Sequence, residues 1–292
     1  MQGIEHWTRK GEVKLFLWQK RARGDKPRGT ILFVHGSSMA SQPTFDLQVP
    51  GRPHSSAMEW FAERGFDTWC LDNEGYGRSD KSRPINCDIA NGADDLEAAA
   101  KYIDKKLLVY GISSGALKAA LFTQRHPERV ARLALDAFVW TGKGSPTLEQ
   151  RRKRLAEFSA KNRRPIDRAF VHSIFERDHP GTADKATIEA FADAILSLDD
   201  SVPTGTYVDM CSKLPLVDPA KLAVPTIVMR GEFDGIASFD DLLEFYRRLP
   251  HPDKQFAVMA GISHASFQQK NYLGVYHILH AFFSQPEPEY RA

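Results

Sequence analysis

The sequence predicts an α/β protein, a doubly wound and mostly parallel sheet with a helical segment inserted into it. Three observations carry that expectation. Short apolar runs alternate with helix-patterned stretches along most of the chain, one long interval breaks the alternation, and a glycine-flanked serine sits where a strand-like run passes into a helix.

Within residues 4–21, short runs alternate about Lys10-Gly11, which predicts an antiparallel pair at a sheet edge. Thr30-Ile31-Leu32-Phe33-Val34 is an almost unbroken apolar run, as a strand covered on both faces must be, and it ends at His35-Gly36. Residues 66–71, 107–110 and 133–135 read the same way. Helical patterns at 55–64, 92–105 and 115–125 lie between these runs, the last ending before His126-Pro127. A parallel neighbour is reached only by crossing over the sheet, so the alternation implies right-handed βαβ units. Residues 141–222 then carry amphipathic helical stretches, many charges and no convincing strand. They are expected to form a helical cap between two core pieces, 1–140 and 223–292. The rhythm resumes with a strand at 226–229, a helix at 238–248, a strand at 255–259 and a helix at 266–283, after which the tail beyond Ser284 is expected to fray.

Charge and cysteine content narrow the classes of partner. Thirty-nine basic against 37 acidic residues leave a formal net charge of +2, too little to argue for nucleic acid or a membrane. Cys70, Cys87 and Cys211 are an odd, widely spaced set without C-x-x-C spacing, which favours a reducing compartment. No signal-peptide pattern opens the chain and no apolar run is long enough to span a bilayer. The expectation is a soluble, cytoplasmic protein that uses no cofactor and no metal.

The chemistry is concentrated at strand ends. Gly111-Ile112-Ser113-Ser114-Gly115 follows a strand and opens a helix, the context in which a sharp turn pushes a serine hydroxyl clear of the sheet. A serine hydroxyl is a weak nucleophile near neutral pH and needs a base, which in turn needs a group to fix its tautomer. Asp234 follows the strand at 226–229 and His264 follows the strand at 255–259, so both are expected at the edge that carries Ser113. Glu232 and Asp136 are competing acids by position. The expected oxyanion donors are the backbone N–H groups of Ser114, at the start of the helix, and of Ser37 in His35-Gly36-Ser37-Ser38, with Ser38 as the substitute. His35 is read as a structural support.

These residues resemble the α/β-hydrolase fold superfamily over 30–140 and 220–283. The matching stretches are Val34-His35-Gly36, Asp72 with Gly75-Tyr76-Gly77-Arg78-Ser79, Gly111-Ile112-Ser113-Ser114-Gly115, His126-Pro127-Glu128-Arg129-Val130, Gly231-Glu232-Phe233-Asp234 and Gly261-Ile262-Ser263-His264. The chain order Ser, Asp, His is also that of the superfamily. Glu74 departs from the pattern, since relatives often carry arginine before the glycine, and the stretch from Met39 to Pro53 is long enough to wall off part of an acyl pocket.

The resemblance implies a serine esterase-like enzyme with a helical cap, cleaving a carboxylic ester of a small organic substrate through an acyl-enzyme. Amide or carbon–carbon bond hydrolysis on the same residues is the nearest alternative, and a hydrolase-like ligand receptor is the alternative of another class. Other signals are set aside. Gly75-Tyr76-Gly77 lacks the rest of a dinucleotide loop, and His277 and His280 lack the glutamate of a helical metalloprotease motif. Arg151-Arg152-Lys153-Arg154 with Arg163-Arg164 make the stretch locally basic, which could attract a carboxylate-bearing substrate at low salt but reads first as a solvated face, and Phe158, Phe170, Phe175 and Phe191 read as cap-to-core packing ahead of pocket lining.

Overall fold

Ten strands organise the computed structural model, which describes residues 1–287 and Glu289. They are β1 (Ile4–Lys10), β2 (Val13–Lys20), β3 (Gly29–Val34), β4 (Phe66–Leu71), β5 (Leu107–Ile112), β6 (Val130–Asp136), β7 (Arg163–Pro165), β8 (Ser201–Pro203), β9 (Thr226–Gly231) and β10 (Lys254–Met259). Eight of them form one sheet in the order β1-β2-β4-β3-β5-β6-β9-β10. The β1–β2 hairpin is antiparallel and lies at the edge, β2 is antiparallel to β4, and every pair beyond that is parallel.

Strand periodicity explains why the central runs are apolar at consecutive positions. Side chains alternate between faces, so Ile31 and Phe33 enter one core while Leu32 and Val34 enter the other. The first face packs against α2 (Ala57–Glu63) and α11 (Tyr272–Ser284) through Trp60, Phe61, Tyr276 and Leu279. The opposite face is covered by α3 (Ile89–Ile103), α4 (Ser114–Arg125) and α10 (Phe239–Arg248), through Leu96, Leu117 and Phe245 among others. A sheet buried on both sides is the doubly wound arrangement that the alternation predicts. Side-chain caps fix two of the helix starts: the Ser56 hydroxyl accepts from the Glu59 amide and the Asp88 carboxylate accepts from the Asn91 amide.

The stretch between β6 and β9 holds α5 (Pro146–Arg152), α6 (Leu155–Ser159), α7 (Arg168–Glu176), α8 (Lys185–Leu196) and α9 (Gly205–Ser212). It also holds β7 and β8, an antiparallel pair of three residues each, which corrects the expectation of no strand there. Arg163-Arg164-Pro165 and Ser201-Val202-Pro203 are too short to show a period and each ends in proline, so the pattern rules for strands pass over them. Val171, Phe175, Phe191 and Ile195 build a core of their own that Leu47 and Val49 join. The stretch from Met39 to Pro53, which contains α1 (Ser41–Phe45), therefore braces the inserted helices.

The last expected helix starts later than the pattern places it. Ser266–Gln268 is a single 3-10 turn, Gln269 is extended, and α11 begins at Tyr272. The start of the expected fray is tied down, because Arg132 donates to the Gln285 carbonyl at 3.1 Å; the end of that tail lies outside the described residues. No helix among the described residues is long and apolar enough to cross a membrane.

Candidate active site

Register places the chemistry at one edge. Val34 pairs with Gly111, Ile112 with Asp136, Asp136 with Met229, and Met259 with Gly231, so β3, β5, β6, β9 and β10 all finish at nearly the same level. The loops that follow them meet at the carboxyl end of the sheet, where open α/β folds present their sites.

Ser113 opens α4 with φ 57° and ψ −128°, a conformation that costs a non-glycine residue on the order of 1–3 kcal/mol. Its amide donates to the Asp136 carbonyl at 2.8 Å and its carbonyl accepts from the Ala116 amide at 3.0 Å, so both neighbouring strand and helix hold the turn. A serine at a helix start ordinarily caps the helix with its hydroxyl, yet Ser113 makes no such bond. Its Oγ lies instead 3.0 Å from Nε2 of His264. The turn leaves no room for a side chain at Gly115, where a Cβ would stand 2.3 Å from the Val34 carbonyl oxygen and 2.6 Å from that of His35. Both neighbours are backbone, so Gly115→Ala is expected to lower the unfolding free energy by about 2–3 kcal/mol, read from the urea midpoint. An unchanged midpoint would mean that β3 and α4 can separate freely.

His264 and Asp234 complete the row. Nδ1 of His264 is 3.1 Å from Oδ2 and 3.2 Å from Oδ1 of Asp234, and both residues are buried. Asp234 Oδ1 also accepts from the amides of Ile236 at 2.8 Å and Ala237 at 3.2 Å. Burial alone would raise this carboxyl. The charge and hydrogen bond of His264, with those two amides, outweigh burial and lower it to about 2. An anionic Asp234 favours the tautomer with its proton on Nδ1, which leaves Nε2 free to accept from Ser113.

The two competing acids are occupied elsewhere. Glu232 accepts from the Gly261 amide at 2.9 Å. Asp136 accepts from the Tyr110 hydroxyl at 2.6 Å, and burial, with some help from the Asp234 charge, pushes its carboxyl up to about 7. A raised carboxyl keeps a proton in the folded protein that the unfolded chain has released, so stability falls as pH rises from about 4 to about 7. Asp136→Asn removes that slope, and its carbonyl can still accept from Tyr110. The variant is therefore expected to gain on the wild type between pH 5 and pH 8, by roughly 2–4 kcal/mol at the upper end. Urea midpoints that run parallel across the range would contradict a protonated Asp136.

The two loops proposed to hold an oxyanion lie against each other. A Cβ on Gly36 would stand 3.2 Å from the Ser113 Cβ, and Ser37 Oγ donates to Ser114 Oγ at 2.7 Å. The Ser114 amide is the first of α4 and so has no acceptor within the helix. His35 steadies the facing loop: its Nε2 accepts from the Asn73 amide at 3.0 Å, so the proton sits on Nδ1, which donates to the Gly36 carbonyl at 2.8 Å. That carbonyl shares its peptide plane with the Ser37 amide, so anchoring one aims the other. Burial and the Lys118 charge keep the His35 ring well below its usual pKa, hence neutral. The Tyr76 hydroxyl, from the glycine-flanked turn after β4, donates to the Ser37 carbonyl at 3.0 Å and fixes the next peptide. Glu74 accepts from Arg83 and pairs with Lys10 at 2.9 Å.

Above Ser113 is a cleft of only about 20 Å³, lined by Ser37, Ser38, Met39, His264 and, unplaced by sequence reasoning, Ile174, Arg151, Arg177 and Tyr207. The latter three also wall a cavity of about 310 Å³ among the inserted helices. Phe158 and Phe170 line this cavity, while Phe175 and Phe191 pack on each other with ring centroids 5.6 Å apart. His277 and His280 each set a ring edge-on against Trp60.

A mostly parallel sheet with a strained serine turn after β5, and with aspartate and histidine delivered after its last two strands, β9 and β10, belongs to the α/β hydrolases. The sequence profile of the family described as serine aminopeptidase, S33, matches residues 25–271; the chain belongs to this family and is a serine α/β hydrolase. The chain is 34% identical over 88 residues to the alpha/beta hydrolase domain-containing protein VTE7 of Arabidopsis thaliana, a match covering 28% of this chain and 27% of that protein. Among solved structures it is similar to a soluble variant of the monoglyceride lipase of Saccharomyces cerevisiae, at 18% identity and a TM-score of 0.71, covering 95% of this chain and 94% of that one. The monoacylglycerol lipase of Paleococcus ferrophilus gives 14% identity and a TM-score of 0.69, covering 92% and 98%. A thermophilic esterase of Thermogutta terrifontis gives 21% and 0.67, covering 97% and 100%. At such identities the likeness is one of fold.

Proposed function

We propose that the protein hydrolyses carboxylic esters of small organic molecules through an acyl-enzyme. Ser113 Oγ attacks the carbonyl carbon as His264 Nε2 takes its proton, and Asp234 stabilises the imidazolium that results. The amides of Ser37 and Ser114 receive the oxyanion, His264 returns the proton to the departing alkoxide, and water repeats the sequence to release the acid. Residues 141–222 serve as the cap that selects the substrate. The observation that carries this reading is the unbroken line from Ser113 Oγ to His264 Nε2 at 3.0 Å and from His264 Nδ1 to Asp234 at 3.1 Å. Esters rank ahead of amides and carbon–carbon bonds because their leaving groups need the least assistance beyond these parts.

Labelling with a fluorophosphonate probe, followed by mass mapping, is expected to place the adduct on Ser113. A parallel panel of short-chain aryl esters, their anilide analogues and a β-diketone acid is expected to favour the esters. An adduct on another serine, or none, would defeat the assignment; preference for the anilide or the diketone would keep Ser113 and replace the substrate class.

A further inference from the structure

The basic run of the inserted stretch does not behave as one solvated face. Arg152 and Lys153 are exposed, whereas Arg151, three residues after the buried Leu148 on the same side of α5, turns inward to line both the cavity and the cleft at Ser113. Four guanidiniums border the cavity, those of Arg151, Arg154, Arg164 and Arg177. Two of them are neutralised. Arg154 forks onto Glu157 at 2.7 and 2.8 Å, and Arg177 onto Asp178 at 3.0 and 3.1 Å.

Arg151 and Arg164 face no carboxylate among the described residues. Arg164 donates once, to Ser38 Oγ at 2.7 Å, while its buried Nε has no partner. Their guanidinium carbons lie 4.4 and 4.2 Å from the centroid of the Tyr207 ring. Two like charges on the walls of one partly dehydrated cavity repel each other, and beyond the faces of Tyr207 they have no counter-charge among the described residues, so an anion entering between them is favoured. Tyr207 reports the resulting potential: burial would raise its hydroxyl, but Arg151 and Arg164 draw it down to about 7.

We propose that the cap cavity takes an oxyanionic substituent of the substrate, a carboxylate or a phosphate, with Arg151 and Arg164 as its partners. The shared walls set the order of parts. The anion rests among the arginines while the reacting carbonyl reaches past Arg151, Arg177 and Tyr207 to Ser113. This placement of the carbonyl rests on the ester-hydrolase reading; the anion site itself does not. Guanidiniums suit the role because their planar fork binds both oxygens of such a group.

The test compares kcat/KM for mono-(4-nitrophenyl) glutarate and for 4-nitrophenyl pentanoate, which differ in a terminal carboxylate. For an anion on the leaving side, 4-acetoxybenzoate is compared with its methyl ester. In one of these pairs the anionic member is expected to be preferred by about 10- to 100-fold, the range of a charged hydrogen bond, and the preference is expected to vanish in Arg151→Gln/Arg164→Gln. The Arg151→Lys/Arg164→Lys protein, which keeps the charges, should retain part of it, and fluorophosphonate labelling of each variant verifies its fold. No preference in the wild type, or one that survives in the glutamine variant, overturns the proposal.

Titration calorimetry with glutarate and with inorganic phosphate separates the two inferences. If no ester is turned over, the ester reading falls, yet binding of either ligand that is lost in the glutamine variant still upholds the anion site. Whichever ligand binds identifies carboxylate or phosphate as the group, and binding of neither ends the proposal.

Discussion

Ser113→Ala is expected to lower kcat/KM for 4-nitrophenyl butyrate by about 10⁵- to 10⁶-fold, with the fold intact. Alanine keeps the β-carbon and hence the same backbone conformation at φ 57°, and the native hydroxyl caps no helix, so stability has little to lose. Chemistry loses its nucleophile. What survives is the stabilisation offered by the amides of Ser37 and Ser114 to a carbonyl attacked by water. Steady-state kinetics beside circular dichroism and a melting curve make the comparison. A folded Ala variant with more than a hundredth of the wild-type rate would remove Ser113 from the proposed mechanism.

Asp234→Asn should cost about 10⁴-fold in kcat while disturbing the structure little. The amides of Ile236 and Ala237 both donate to Oδ1, so the asparagine carbonyl oxygen takes that place and the NH₂ group takes the place of Oδ2. There it stands 3.1 Å from His264 Nδ1 and donates to it. The imidazole proton moves to Nε2, which then faces Ser113 as a donor and can no longer accept. Nitrogen-15 chemical shifts of His264 would display the exchanged tautomer. The same change has a stability signature. A carboxyl held at about 2, below its value in the unfolded chain, stabilises the fold above about pH 4, and that contribution of roughly 2 kcal/mol is lost as pH falls from about 4 to about 2. The asparagine variant should lack this component of acid unfolding. Full activity in the variant, or an unshifted tautomer, would contradict the arrangement.

Where the chain obeys one simple period, the sequence is readable. β3 is apolar from Ile31 to Val34 because two cores claim alternate residues, and the edge strand β1 alternates between half-buried and exposed positions. Ser113, Asp234 and His264 could be singled out because parallel strands end in register, so residues just past three strand ends must be neighbours. The inserted stretch offers no such rule. Arg151 and Arg152 are adjacent and chemically identical, and only the packing of α5 against α9 decides which one turns inward. Phe158 packs into the main core as its spacing implies and also borders the cavity, while half-buried Phe170 borders it without joining that core, a difference that depends on how short helices meet. Asp136 ends β6 and Asp234 lies just past β9, so both sit at strand ends. Their difference lies in Tyr110 beneath one and His264 above the other, contacts that span 26 and 30 residues.

β6 and β9 are hydrogen-bonded neighbours from Leu133 to Asp136, although the whole inserted stretch intervenes between them in the chain. The sheet thus closes beneath the insertion without using it, and the groups proposed to move the proton all come from outside that stretch. In the proposed mechanism, selectivity and reactivity are therefore carried on separately exchangeable lengths of polypeptide. A graft that replaced the roof between these two strands would alter which molecules are admitted while the floor continued to cut them in the same way.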